Sequence, residues 1–237
     1  MNSDTKLFYT NEELPQRSEA WLEWRSTCVG GSDVGKVLGL LDKYEKPHTL
    51  WKRKLGMLEP IKQNAAMRRG AEMEDEAARI IRVYLKEYGI DNAKIEPIVA
   101  KHPKYDYIGV SFDGVDEDFI TEIKCPAHVN SFKSVLSKGI PNYYYAQVQL
   151  QLMVANAIWG IDKGYFCSYF PDGLYHTGEG YEEEFHILKI IKIDHDPKYC
   201  AAMRKVVEKF WSNIQTETWD DEEYTAVLEE FYADRNN

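Results

Sequence analysis

The residues best placed for chemistry are Asp113 and, nine positions on, the run Glu122-Ile123-Lys124. Two carboxylates offer the hard oxygen ligands that suit Mg²⁺ or Mn²⁺. An ammonium beside them can orient a metal-bound water and offset charge building on a phosphate. The set points to metal-dependent phosphodiester hydrolysis. Short patterns of this kind also recur as plain ion pairs on solvated hairpins, and the residues alone leave that reading open.

Several elements must position these side chains. Residues 108–113 and 119–125 read as strands, with Gly114 and the acidic run Asp116-Glu117-Asp118 as the turn region, which predicts a hairpin. Alternation along the second strand sends Glu122 and Lys124 to one side and Ile123 into the core on the other. Asp113, at the end of the partner strand, is placed to join them. Residues 64–88 read as a helix with Met67, Ala71, Ala78, Ile81 and Leu85 on one apolar stripe. Glu74 lies within that stripe, while Glu72, Asp75 and Glu76 point to the polar side. A carboxylate turned toward the core needs a cation or a strong donor. A metal shared with Asp113 and Glu122 would serve, as would an Arg partner or a stripe edge that stays wet.

Upstream, Ser18 can cap a short helix carrying Trp21, Trp24 and Arg25, and Gly30-Gly31-Ser32-Asp33 forms a turn whose Ser or Asp caps a helix over 34–38. Glycines let backbone N–H groups approach a ligand closely, and a helix start with a serine hydroxyl and a nearby Arg is a ready anion site. The same turn serves equally well as an ordinary cap. Downstream, the stretch from Tyr143 reads as a helix on which Tyr143, Gln147, Gln151, Val154 and Ile158 share a face. Gln147 is thus a polar group on an apolar side, able to bond a water, a phosphate, a neighbouring carboxylate or a core backbone group.

Taken in order, W-x-x-W-R…GGSD, G-x-x-x-E, S-x-D-G…E-I-K-C-P and Y-x-A-Q-V-Q resemble the lambda-exonuclease or YqaJ-type viral recombinase family of PD-(D/E)xK nucleases, over residues 18–169. The resemblance implies a restriction-endonuclease-like core of α/β (α+β) class, a central mixed β-sheet flanked by helices. It implies an acidic site of Glu74, Asp113 and Glu122, with the Ile123 carbonyl as a further metal ligand, Lys124 as catalytic lysine and Gln147 as the site glutamine. Arg25 and Ser32, with Ser111, match the family's 5′-phosphate contacts. The family arginine six residues beyond the lysine is Asn130 here, and Lys133 is the candidate to reach the same region. The implied activity is Mg²⁺-dependent 5′→3′ exonuclease action on double-stranded DNA ends, Mn²⁺ substituting, leaving a 3′ single strand for recombination by strand annealing. The implied assembly is a homotrimeric ring, with a single-strand annealing protein as possible partner. An endonuclease with the same metal site and a non-catalytic DNA-end-binding protein are the alternatives.

Composition bounds these readings. A chain of 237 residues, 44% hydrophobic, can bury one good-sized core, and a single domain over 1–237 with N- and C-terminal helical extensions is expected. No apolar run approaches membrane-spanning length and no secretory segment stands out, so a soluble protein of the bacterial or phage-infected cytoplasm is expected. Cys28, Cys125, Cys167 and Cys200 lack C-x-x-C spacing and read as reduced thiols. His102, His128, His176, His186 and His195 show no metal-ligand spacing. A formal charge of −10 is unusual for a nucleic-acid binder. Lys43, Lys46, Lys52, Arg53, Lys54, Arg68 and Arg69 nevertheless concentrate positive charge in one stretch, and Asp220-Asp-Glu-Glu223 reads as a helix start. Further strands are expected over 165–170 and 184–193, and an amphipathic helix over 197–214.

Overall fold

The backbone at Gly114, next to the point where the sheet of this protein divides in two, is under a tight steric constraint. A Cβ added there would stand 2.4 Å from Thr121 Oγ1 and 2.8 Å from Ile95 Cγ2, so only glycine lets the strand cross that point. The computed structural model describes residues 6–87, 89–91, 93–172 and 187–235. In chain order these hold β1 (Phe8–Thr10), α1 (Glu19–Ser26), α2 (Gly31–Val37), α3 (Pro47–Lys54), α4 (Ala65–Glu87), β2 (Ile98–Lys101), β3 (Gly109–Phe112), β4 (Gly114–Val115) and β5 (Ile120–Lys124). They continue with α5 (Val129–Lys138), α6 (Asn142–Trp159), β6 (Lys163–Tyr169), β7 (Leu188–Asp194), α7 (Pro197–Gln215) and α8 (Asp221–Arg235).

The described strands form an antiparallel sheet β1-β2-β3 and a mixed sheet β4-β5-β6-β7, in place of the single central sheet expected. The hairpin is also narrower than the sequence suggested. The strand over 108–113 ends at Phe112 and pairs with β2, and the antiparallel partner of β5 is the two-residue β4, with Gly114 opposite Thr121. Asp113 occupies the break between the two sheets.

β5 and β6 run parallel, with Glu122 opposite Phe166. Parallel neighbours need a crossover, and α5 and α6 supply it. The sheet is covered on both faces. Ile120 packs in a core with α6 residues such as Val148, Leu150 and Leu152, whereas Ile123 packs with Ala77, Ile81 and Leu85 of α4. Alternation therefore carries Glu122 toward α6, as expected.

The apolar stripe of α4 is real only in its C-terminal half. Met67 is 48% exposed, and Ala71 and Ala78 are half-buried. The helix matches the expected span to within a residue at its start, and Tyr88 lies outside the described residues. The strand expected over 165–170 is shifted to Lys163–Tyr169. The one expected over 184–193 begins at Leu188, its first three residues lying outside those described. The helix expected over 197–214 forms with Pro in its first turn and the Asp196 side chain capping Tyr199 N–H, and buries Cys200, Met203, Val206, Val207 and Phe210. The acidic start at Asp221 also forms a helix. Among the described residues no helix is long and apolar enough to cross a membrane.

Gly114→Ala should lower the midpoint of thermal unfolding and cost about 1–3 kcal/mol by overpacking. Gly70→Ala, where the nearest atom is Cys125 O at 4.0 Å, should be neutral or stabilising. Circular dichroism melts compare them; equal midpoints for the two variants would refute the constraint.

Candidate functional site

Glu122 is 1% exposed, and a carboxylate that deep must be matched at both oxygens. Gln147 Nε2 donates to Oε1 at 2.6 Å and Gln151 Nε2 to Oε2 at 2.6 Å. Lys124, two residues along the same strand face, ion-pairs with Oε1. The solvated ion-pair alternative is thereby excluded. Gln147 and Gln151 are one turn apart on α6 and reach β5 because α2 allows α6 to come close. A Cβ on Gly31 would lie 3.1 Å from Gln147 Cγ, and one on Gly35 2.9 Å from Tyr143 Cβ.

Asp113, at the sheet break, accepts Ile123 N–H through Oδ2 at 2.7 Å. Burial, then the neighbouring Glu122 charge, holds its carboxyl well above the usual carboxylate range, and Glu74 adds to this while Lys124 opposes it. Burial works against the Lys124 ammonium, but Glu122 and Asp113 outweigh it and raise Lys124 above an ordinary lysine. Lys124 also sits over the Tyr144 ring, 5.3 Å from its centroid.

Glu74 does lean inward, but its partner is Arg17, with which it forms an ion pair. Both line a cavity of about 360 Å³ together with Asp113, Ile123, Asp75, Arg79 and Arg82. Among the described residues no three His, Cys, Asp or Glu side chains gather in a metal-holding group. The set that does fit a hard cation is the Asp113–Glu122 pair with a backbone carbonyl. Two carboxylates there face one ammonium, and Asp113 is raised first by its burial and then by the Glu122 charge. Glu76, expected on the polar side, instead accepts the Tyr169 hydroxyl at 2.9 Å.

The proposed phosphate contacts converge on the same place. α1 is capped by Ser18, whose Oγ accepts Trp21 N–H at 3.2 Å. Arg25 stacks over the Trp21 ring at 4.5 Å and donates to Ser32 Oγ at 2.5 Å. Trp21 Nε1 donates to Ser111 Oγ at 3.2 Å, and Gln151 Nε2 donates to the Ser111 carbonyl at 3.0 Å. Arg25, Ser32, Ser111 and Glu122 thus belong to one connected network. The helix expected over 34–38 starts earlier, at Gly31, so Ser32 lies in its first turn. Gly30, in place of the expected Ser or Asp, is the N-cap, and Asp33, inside the first turn, accepts the Gly30 N–H at 3.1 Å. Asn130 and Lys133 are exposed on α5.

The expected basic stretch is partly consumed. Lys54 pairs with Asp33 at 2.9 Å, Arg53 with Glu45 at 2.8 Å and Arg69 with Asp172 at 2.9 Å. Lys43, Lys46 and Arg68 remain exposed. The four cysteines are free, as expected, and burial pushes Cys28 up to about 11 and Cys125 up to about 12. His102 accepts the backbone N–H groups of Lys104 and Tyr105 at 3.1 and 3.3 Å, a structural role. His176 and His186 lie outside the described residues.

Sequence reasoning did not single out Gln151, Trp21 or Arg17 as site residues. Gln151 carried a usable signal, since it repeats Gln147 four residues on along an otherwise apolar face.

A model of the YqaJ-like viral recombinase domain matches residues 20–158. No curated protein matches the chain in sequence. Among solved structures, the alkaline exonuclease LHK-Exo from Laribacter hongkongensis is 24% identical, with 84% of this chain and 94% of that one covered and a TM-score of 0.60. LHK-Exo in complex with dAMP has the same identity and coverage and a TM-score of 0.63. These likenesses show a shared mixed α/β fold.

Asp113→Asn should stabilise the protein in EDTA, since the amide keeps an acceptor for Ile123 N–H and removes the charge. The folded carboxyl titrates above its unfolded value, so the native state holds a proton that the unfolded chain has released. Stability is therefore lost as pH rises through the folded pKa. The variant's advantage in melting temperature should grow with pH; a constant or negative difference would show that Asp113 carries no such burden.

Proposed function

The chain belongs to the YqaJ-like viral recombinase family, and from that premise we propose a Mg²⁺-dependent exonuclease that degrades linear double-stranded DNA 5′→3′ and leaves a 3′ single strand for recombination by annealing. The observation that supports this reading is the network from the Arg25–Ser32 pair through Trp21, Ser111 and Gln151 to Glu122, which would set a phosphate contact beside an acid–lysine centre. The dAMP held by LHK-Exo is the class of product such a centre would release. In this reading the whole chain is one domain, and β4–β7 with α4 and α6 form its restriction-endonuclease-like core.

Asp113, Glu122, the Ile123 carbonyl and Glu74 would hold Mg²⁺, with Mn²⁺ able to replace it. When bound, the ion would polarise the phosphate and acidify a water. Lys124, kept charged above ordinary lysine by its carboxylates, is no base in this state; its ammonium would stabilise negative charge developing on the phosphate. Gln147 and Gln151 keep Glu122 from turning. Arg25 and Ser32 would bind the 5′-phosphate and set the register in which the first linkage meets Asp113.

A homotrimeric ring is part of the proposal. Supporting it is the need of a protein with net charge −10 to gather exposed cations such as Lys43, Lys46 and Arg68 around DNA. Sedimentation velocity decides it: a monomer with full activity would remove the ring and leave the site.

The deciding assay uses 5′-phosphorylated and 5′-hydroxyl linear duplexes and a closed circle, with Mg²⁺ or EDTA. Wild type should release nucleotides from linear DNA only, with Mg²⁺ only, and prefer the phosphorylated end about tenfold, as a charge-assisted contact would give. Arg25→Ala should erase the preference, and Lys124→Ala should abolish hydrolysis while end binding persists. Cleavage of the circle would make the protein an endonuclease, and end binding without any hydrolysis would make it a scaffold.

A further inference from the structure

Arg17 stands out among the cations of the cavity at Asp113. It is one of the non-glycine residues with positive φ, 72°, a backbone state that L side chains adopt at a cost and that concentrates at functional sites. It lies just before Ser18, the N-cap of α1. Its side chain is 53% exposed, and its guanidinium is held by Glu74 across the cavity mouth. Of the other arginines lining that cavity, Arg82 donates to the Ile95 carbonyl at 2.7 Å, and Arg79 is exposed. An exposed ion pair of this kind is weak and exchangeable, and a phosphate offers the guanidinium a better bidentate partner than one carboxylate.

Arg17 lies just before α1 and Arg25 in its last turn, at opposite ends of a helix about 12 Å long at the helical rise, a separation that suits different phosphates of one strand. We propose that Arg17 is a substrate-positioning residue that exchanges Glu74 for the first internucleotide phosphate, the one presented to Asp113, while Arg25 and Ser32 hold the terminal phosphate. This inference rests on the exonuclease reading. It supplies a cation at the reacting linkage in a chain whose α5 carries Asn130 and an exposed Lys133.

The test is binding of 5′-phosphorylated duplex ends in EDTA, measured by fluorescence anisotropy. One duplex has native linkages and the other a neutral methylphosphonate at the first linkage. Arg17→Gly is the informative variant, because glycine relieves the positive φ and should leave thermal stability intact. Wild type should bind the native duplex about tenfold more tightly than the neutral-linkage duplex, and Arg17→Gly should bind the two equally. The slope of log affinity against log salt should fall by about one in the variant. Arg17→Lys should restore part of the discrimination. If Arg17→Gly keeps the wild-type discrimination, or wild type shows none, the assignment is overturned. Arg25→Ala on the same native duplex separates the two claims: its loss of affinity alongside an unaffected Arg17→Gly leaves the exonuclease reading standing and removes the clamp alone.

Discussion

The buried carboxylate of Glu122 is the constraint on which the rest of the arrangement depends. At 1% exposure it is bound by two glutamine amides and one ammonium, and leaving any of these unmade would strand charge in the core. Each partner in turn dictates structure. Lys124 must share its strand face, which fixes the register of β5. Gln147 and Gln151 must sit one turn apart on a helix pressed against that face, which the crossover between the parallel β5 and β6 provides. The helix can press so closely because Gly31 and Gly35 present α2 without side chains in its path.

What could be read from the sequence follows from the range of the interactions involved. Alternation along β5, the capping of α1 by Ser18 and the amphipathic α7 are local, and their residues announce them. The break at Asp113 is not, because the partners change there: β3 pairs with β2 and β4 with β5. The close approach of Gly114 to Ile95 and Thr121 beside it is one that only the folded chain brings about. The fate of the basic stretch is likewise non-local. Arg69 is paired with Asp172, 103 positions away, and Lys54 with Asp33, so a run of cations in sequence becomes a mixture of structural ion pairs and exposed charge. Glu74 shows the same limit: its inward tilt and an arginine partner as one alternative were legible, but that the arginine is Arg17, 57 positions away, was not.

The two halves of the acidic site are treated oppositely by the fold. Glu122 has a donor or cation at each oxygen. Asp113 is buried, accepts the Ile123 N–H and has Glu122 as a like-charged neighbour, and burial and that neighbour raise its proton affinity. A buried carboxyl raised in this way is a candidate to be completed by a partner. On this argument Glu122 is the anchor and Asp113 the group whose charge is completed from outside.

That asymmetry also orders the cations. Lys124 is locked to Glu122 and cannot leave without exposing a buried charge, so it acts where it stands. Arg25 is held by a stacked ring and a hydroxyl, and its charge also bears on the buried Asp33 carboxylate. Arg17 is tied to one half-exposed carboxylate at the cavity. On the proposed path of a strand along α1, Arg25 would meet the terminal phosphate, Arg17 the next linkage, and Lys124 would stay fixed beside the acids.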